Sequence, residues 1–317
     1  MLDFSHVLAT PGLDLQYFVG GSSTTLIQWQ TWRKPRGVKF IYLIGVGGGS
    51  SGMSGINSGT TSGGGAGGQS GAQTTVMIPA FMIPDTLYIQ CGAGGAGPTV
   101  QGSIGNAGVA TYVTIEPSTT LTANMTLLFA NPGIATGGAV PNATNGGIAN
   151  ATAAAAATIA NMPLAGRGFY NFLAGQIGSN GGANTTAGIA QTLPATGLMV
   201  TGGTGGGGCN VGTGFAGGIF NSVNGLALDI FPALAAGAAA VTSTPAGAGS
   251  SYIARNFQMN YGGTGGGGAT TTSGGTAGAG ATGAPGSGGG GGGGANTTNA
   301  TVKGGDGGPG FVLIASW

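Results

Sequence analysis

The stretch WRKPRGVKFIYLIGVGGGSSG, residues 32–52, decides how the rest of the chain is read. It sets a basic cluster, a continuous apolar run and a glycine tract end to end. Four of the seven Lys and Arg residues fall here, at Arg33, Lys34, Arg36 and Lys39. Pro35 and Gly37 make this segment a turn. The run 38–46 is apolar without alternation, the pattern of a strand buried on both faces. Its Val38, Ile41 and Ile44 are β-branched, and Phe40 and Tyr42 also favour strands. The chain then enters GGGSSGMSGINSGTTSGGGAGGQSG, residues 47–71.

The alternation of strand and glycine recurs along the chain. LDLQYFVGG (13–21) and TTLIQWQTW (24–32) read as short strands upstream. In TTVMIPAFMIPDTLYIQC (74–91) two apolar runs are broken by Pro79 and Pro84. Residues 87–91 read as a strand, and the prolines place the earlier run at a sheet edge or a turn. GAGGAGPTVQGSIGNAG (92–108) returns to glycine, and VATYVTIE (109–116) is again a strand. The middle, 117–200, is richer in Ala, Asn and Thr, and alanine propensity predicts a minor helix over ANATAAAAATIANM, 149–162. Beyond 200, GGTGGGG occurs at 202–208 and again at 262–268, with candidate strands at 219–231 and 251–261. GGDGGPGFVLIASW, 304–317, closes the chain as a glycine tract followed by a strand.

Within the tracts glycine recurs at every third position, as at Gly49, Gly52 and Gly55 or Gly102, Gly105 and Gly108. Three residues per turn is the polyproline-II period, and such a helix has no internal hydrogen bonds. Buried backbone groups must nevertheless be paired. Extended glycine helices packed side by side satisfy both conditions, with the intervening Ser, Thr, Ala, Gln and Asn side chains pointing outward. Flexible linkers are the alternative, but linkers do not alternate with buried-type strands. The expected fold is all-β with glycine-rich extended segments, built on a β-sandwich or jelly-roll-like core. The organisation reads as a docking segment (1–36), a glycine-rich β domain (37–116), an Ala/Asn/Thr-rich insertion (117–200) and a second glycine-rich β region with a terminal strand (201–317).

Composition narrows the function. The chain has 317 residues with 75 Gly and 14 Pro, yet it is 41% hydrophobic and carries 7 basic and 6 acidic residues. Disordered chains are charged and poor in apolar residues, so this one is expected to fold or assemble. A net charge of +1 excludes the broad basic face of a nucleic-acid binder. The basic cluster is either a solvated turn or a docking contact with an acidic partner through Arg33, Lys34, Arg36 and Lys39. Cys91 and Cys209 have no metal-type spacing, and with His6 as the lone histidine a Cys/His zinc site is excluded. Both cysteines read as small buried hydrophobes. GAGGAG, 92–97, fits the dinucleotide fingerprint G-x-G-x-x-G, but PTVQGSIGNAG after it cannot make the helix that phosphate binding needs. No Walker loop or nucleophile elbow is present. The chain is expected to be no enzyme and to take no cofactor or metal. MLDFSHVLATPG has neither a basic start nor a long apolar core, so it does not read as a signal peptide.

The segments VKFIYLIGVGGGSSG, GGGAGGQSG, LYIQCGAGGAG and YVTI resemble the glycine-rich domain of bacteriophage virion proteins, found in tail fibres, adhesins and other appendages. GGDGGPGFVLIASW is similar to the close of many such chains. The resemblance covers 37–116 and 201–317. It implies a β-rich, cofactor-free virion component, a homotrimer that partners itself and other virion proteins. It also accounts for the missing export signal, since phage proteins leave the cell by lysis. The first functional expectation is a structural component of a tail fibre, head fibre or capsid decoration. The second is a receptor-binding adhesin that contacts host cell-surface glycans through Asn/Thr/Gln loops and aromatics, with Phe169, Tyr170 and Phe172 as candidates. The third is a cellular surface-layer or matrix protein. The alanine-rich middle is unlike a sugar-binding tip.

Overall fold

The computed structural model describes residues 13–21, 29–117, 125–135, 138–158, 168–194, 197–221, 238, 260–269, 276–296 and 302–317. Two antiparallel sheets form a sandwich. One has the order β1 (Asp14–Val19), β13 (Phe311–Ser316), β3 (Phe40–Val46), β4 (Gln73–Pro79), β8 (Phe169–Leu173). The other runs β2 (Gln30–Arg33), β5 (Thr86–Gln90), β6 (Thr111–Thr114), β7 (Thr126–Ala130). Short pairs join β9 (Gln191–Thr192) to β12 (Phe220–Asn221) and β10 (Cys209–Asn210) to β11 (Thr213–Gly214).

Alternation along each strand sends one side-chain set between the sheets. Ile41 and Leu43 of β3, Val76 and Ile78 of β4, and Val312 and Ile314 of β13 meet Trp32, Leu87, Ile89, Val113, Leu127 and Leu128 from the facing sheet. Burying one such aliphatic side chain stabilises by about 1.5–3 kcal/mol. Polar bonds tie the layers together where the glycine tracts begin. Thr111 Oγ1 donates to the Val46 carbonyl at 2.8 Å, and Thr74 Oγ1 donates to that of Phe129 at 2.6 Å.

The run before Pro79 is neither edge nor turn, because β4 lies between β3 and β8. Pro79 is tolerated since it is the last residue of the strand, after which the chain turns through a short 3-10 segment, Ala80–Met82. The minor helix does not form. Residues 149–158 carry no helical turn, and 159–162 lie outside the described residues. Lateral bonds replace helical ones: Gly175 N–H donates to the Ala154 carbonyl at 2.9 Å, and Asn131 Nδ2 to that of Ala155 at 2.9 Å. Ala157 packs beneath Phe129, Tyr170 and Phe172.

The glycine tracts extend from one end of the sandwich as a bundle. β3 hands over to tract 47–56, and 63–71 returns to β4. In the same way 92–97 follows β5, and 302–310 leads into β13. Donation along 47–56 cycles with a period of three. Gly47, Ser50, Met53 and Ile56 donate to Ala72, Gln69, Ala66 and Gly63. Gly48, Ser51 and Ser54 donate to Val109, Asn106 and Ser103. Gly49, Gly52 and Gly55 donate to Gly308, Gly305 and Val302. Each third of the helix thus serves one neighbour, as a three-residue turn requires.

Tract 287–295 shows the same lattice fully closed. It exchanges backbone bonds with 47–56, 63–71, 201–209, 261–269, 277–284 and 302–310, which surround it. The two GGTGGGG copies lie side by side in parallel, Thr204 N–H reaching the Gly263 carbonyl at 3.1 Å and Gly207 N–H that of Gly266 at 2.9 Å.

The side chains between the glycines do not all point outward. An inner tract has no outside, and Ser50, Ser51, Ser54, Gln69, Ser70 and Thr204 are fully buried. Small hydroxyls fit there because they act as substitute acceptors. Ser50 Oγ takes the N–H of Gln69 at 2.7 Å, Ser51 Oγ that of Asn106 at 2.7 Å, and Thr204 Oγ1 that of Gly265 at 2.8 Å.

A methyl group on Gly265 would lie well inside van der Waals contact with the Gly205 carbonyl, whereas one on Gly197 meets nothing. Gly265→Val is therefore expected to cost about 3 kcal/mol or more, since the clash is with hydrogen-bonded backbone. Gly197→Ala should stay within about 0.5 kcal/mol of wild type. Chemical denaturation of both variants checks this, and equal stability would mean the tracts are not close-packed.

Candidate functional site

The described residues hold no cluster of three or more His, Cys, Asp or Glu side chains able to bind a metal. Nor do they include a helix long and apolar enough to cross a membrane. GAGGAG, 92–97, is part of the bundle. Gly95 N–H donates to the Gly49 carbonyl at 2.9 Å, and Gly97 N–H to Asp306 Oδ1 at 2.6 Å. With Gly92 N–H donating to Thr111 Oγ1, three of its amides are spent on protein acceptors, and no helix follows it.

Both cysteines are free. Burial pushes the Cys91 thiol up to about 12. Burial likewise raises Cys209 to about 11, against the lowering effect of its hydrogen bonds with Ser62. Alkylation by iodoacetamide at pH 8 should be at least about 100-fold slower in the native protein than in denaturant, because the thiolate is the nucleophile and a free thiol titrates near 8.5. Equal rates would contradict the burial.

The molecule has two unlike poles. At the sandwich end, away from the bundle, the 33–40 turn meets 79–86 and the last strand. Lys34 is committed to the fold: its Nζ donates to the Ala80 and Ile83 carbonyls at 3.1 and 2.9 Å and pairs with Asp85 Oδ1 at 2.9 Å. Arg33, Arg36 and Lys39 are exposed around it. Main-chain bonds from Lys39 and Phe40 N–H to the Trp317 carbonyl, at 2.6 and 3.0 Å, bring Phe40 and Trp317 together with ring centroids 6.3 Å apart. Both rings are exposed, as are Met82 and, at 81%, Phe81. Sequence reasoning found the cations and missed the aromatics, which sit in runs that read simply as strand. Arg, Trp and Phe beside one another are the side chains enriched at protein interfaces.

The opposite pole is made of the turns between tracts. Loop 57–61 meets loop 98–104 where Asn57 N–H donates to Gln101 Oε1 at 3.0 Å. Loop 142–145 meets 183–186 where Asn184 N–H donates to the Thr144 carbonyl at 3.2 Å. Ser62 is bridged to Cys209, and Asn57 to Ala295, which joins 209–214 and 295–296 to the same surface. Exposed here are Ser58, Thr60, Asn142, Thr144, Asn145, Thr185, Thr186 and Thr213, together with the apolar Val100, Ile104 and Val211. These loops carry no charged side chain. They are hydrogen-bonding and neutral.

Phe169, Tyr170 and Phe172 do not reach either pole. They lie on β8, an edge strand of the sandwich. Phe169 is exposed, but Tyr170 is half-buried with its hydroxyl donating to the Leu127 carbonyl at 2.9 Å, and it stacks on half-buried Phe172 at 5.7 Å between centroids. Desolvation raises the Tyr170 phenol to about 12.

Lys34→Ala is expected to cost about 1–3 kcal/mol, since it strands two carbonyls of the 80–83 turn. Arg36→Ala should fall within about 0.5 kcal/mol. Equal effects in denaturant titration would mean that the cluster acts as one unit.

Comparison with characterised proteins finds no match for the sequence. The family model for a glycine-rich domain matches residues 23–317. That span holds the tracts, most of the sandwich and both poles, so the chain belongs to the glycine-rich domain family.

Proposed function

We propose that this protein is a structural component of a bacteriophage appendage (tail fibre, head fibre or capsid decoration), attached by its sandwich pole and presenting its loop pole outward. The observation that carries this reading is the polarity of the bundle. An aromatic and cationic pole is separated from a neutral, loop-built one by the sandwich strands, about 20 Å long, and by tracts of nine or so residues that span about 28 Å at the rise of an extended glycine helix. Chemistry that transforms a substrate needs titratable groups brought together, whereas an assembling spacer needs a stiff backbone and two distinct ends. The resemblance to virion glycine-rich domains supplies the setting.

A second reading, a host-attachment adhesin, is favoured by the loop pole. Asn, Thr, Ser and Gln side chains without charge are suited to the hydroxyls of a surface glycan, each of which both donates and accepts hydrogen bonds. In that reading the aromatics of β8 are bystanders.

Electron microscopy of particles labelled with antibody raised against this chain tests the proposal. Label at a tail, fibre or capsid surface supports it. Antigen confined to the cell envelope replaces it with a surface-layer role. The double variant Arg33→Glu/Arg36→Glu should keep the wild-type unfolding midpoint and yet enter particles at least about tenfold less, with association in the wild type weakening as salt rises. Normal incorporation of the double variant would remove the sandwich pole as the point of attachment.

A further inference from the structure

One flank of the bundle is apolar in a way that neither pole explains. Tracts 138–141, 145–154, 175–182, 186–191 and 215–219 lie next to one another in that order. Ile148 N–H donates to the Ala139 carbonyl at 2.8 Å, Gly181 to Gly147 at 2.9 Å, Ile189 to Asn180 at 3.0 Å and Gly188 to Ala216 at 2.9 Å. On this flank Val140, Ile148, Ile177, Ile189 and Ile219 are 43, 50, 39, 52 and 43% exposed. The bonds fix their levels. Ile189 is level with Asn180, Ile148 lies beside the same turn, and Ile177 sits one triplet nearer the sandwich. Ile148, Ile177 and Ile189 thus lie around half-buried Asn180, whose Oδ1 accepts the Ala149 N–H at 2.8 Å. Exposed apolar patches of this kind mark contact surfaces.

Charge defines what can cover it. Residues 117–166 and 168–228 contain no Asp, Glu, Lys, Arg or His, so the flank has nothing to attract a charged partner and nothing to repel a neutral one. The opposite flank, 92–97, 302–310 and 277–284, carries the Lys303–Asp306 pair at 3.6 Å. The covering surface must also match the ridges. Their spacing is set by backbone hydrogen bonding between tracts and not by side-chain size. A surface with the same spacing, the same β-branched ridges and the same neutrality is this flank on a second copy of the chain.

The geometry points to pairing of two copies through this flank, the ridges of one lying in the grooves of the other about a two-fold axis. Such a contact is isologous and closes on itself, which prevents growth into filaments. It does not depend on the appendage reading, and it differs from a three-fold assembly.

Analytical ultracentrifugation of the full chain over a range of concentrations tests it. The expected wild-type mass is that of two chains, dissociating on dilution. Ile148→Glu/Ile189→Glu places carboxylates in the patch on side chains that are already half exposed. Its mass should be that of one chain, with the dissociation constant raised at least about 100-fold. Thr282→Glu, exposed on the opposite flank, should pair as wild type and controls for added charge. A single-chain mass for the wild type at every concentration overturns the proposal. So does a three-chain mass, or pairing that survives in the double variant. The unfolding midpoint of the double variant, compared with that of single-chain wild type at high dilution, separates lost pairing from lost folding.

Discussion

Everything in this molecule depends on where an extended glycine backbone finds its hydrogen-bond partners. A three-residue turn cannot bond to itself. Its amides point outward in three directions, and each must meet a carbonyl of another segment or remain unpaired at a cost of about 1–3 kcal/mol when buried. Tract 47–56 meets this condition at each residue, through three different neighbours in rotation. The constraint then propagates. A neighbour at hydrogen-bonding distance on every side leaves no room for a Cβ at most inner positions, so the residue must be glycine. Where it is not, as at Ser51 or Thr204, a hydroxyl accepts an amide in place of a carbonyl.

The sandwich solves a problem the bundle cannot solve for itself. Backbone bonds alone do not fix the register of one glycine tract against another, because every triplet looks alike. The strands do. Val46 pairs with both Phe311 and Gln73, so tracts 47–56, 63–71 and 302–310 start from a common level. Apolar burial between the sheets holds that level, since a one-residue slip would turn Ile41 and Leu43 out of the core. Side chains specify the register and backbone groups carry it outward.

Much of this was legible because the two halves of the chain use different signals. Continuous β-branched and aromatic runs marked β3, β6 and β13, and the triplet spacing marked the tracts. The helix expectation fails for an equally physical reason. ANATAAAAATIANM, 149–162, has the propensity of a helix, but over 149–158 lateral donors to the Ala154 and Ala155 carbonyls outweigh it, in residues whose methyl is small enough for an outer tract. The middle region, which reads as an insertion from its Ala, Asn and Thr, also carries Gly175, Gly178 and Gly181 at the period of three that marks the other tracts. Glycine was simply diluted there, because outer tracts have a free side and tolerate Ile, Asn and Gln. At the sandwich pole, Lys34 looked like its basic neighbours. Nothing in its local sequence shows that the 80–83 carbonyls come to it from nearly fifty residues away.

The same condition changes what a neutral, apolar composition implies. Few charges and unpaired glycine helices suggest self-association when the helices are imagined singly. Within the described bundle the lateral partners come from the chain itself, so backbone pairing sets no requirement for a second subunit. Association can then draw on the outer strands of the sheets, β1, β8, β2 and β7, and on side chains, which are concentrated on surfaces the lattice leaves unconstrained. The turns show this freedom most plainly. Gly59 and Gly102 adopt φ of +83° and +63°, the left-handed region, with open space around them, while the inner tract glycines are hemmed in by carbonyls. A scaffold held by backbone groups has almost no side-chain code to preserve at its loop pole. Residues such as Thr185 and Val211 can then be exchanged for contact with a new surface without altering the bonds that hold the bundle, whereas Asn142 Oδ1 closes its own turn by accepting from Thr144 and Asn145.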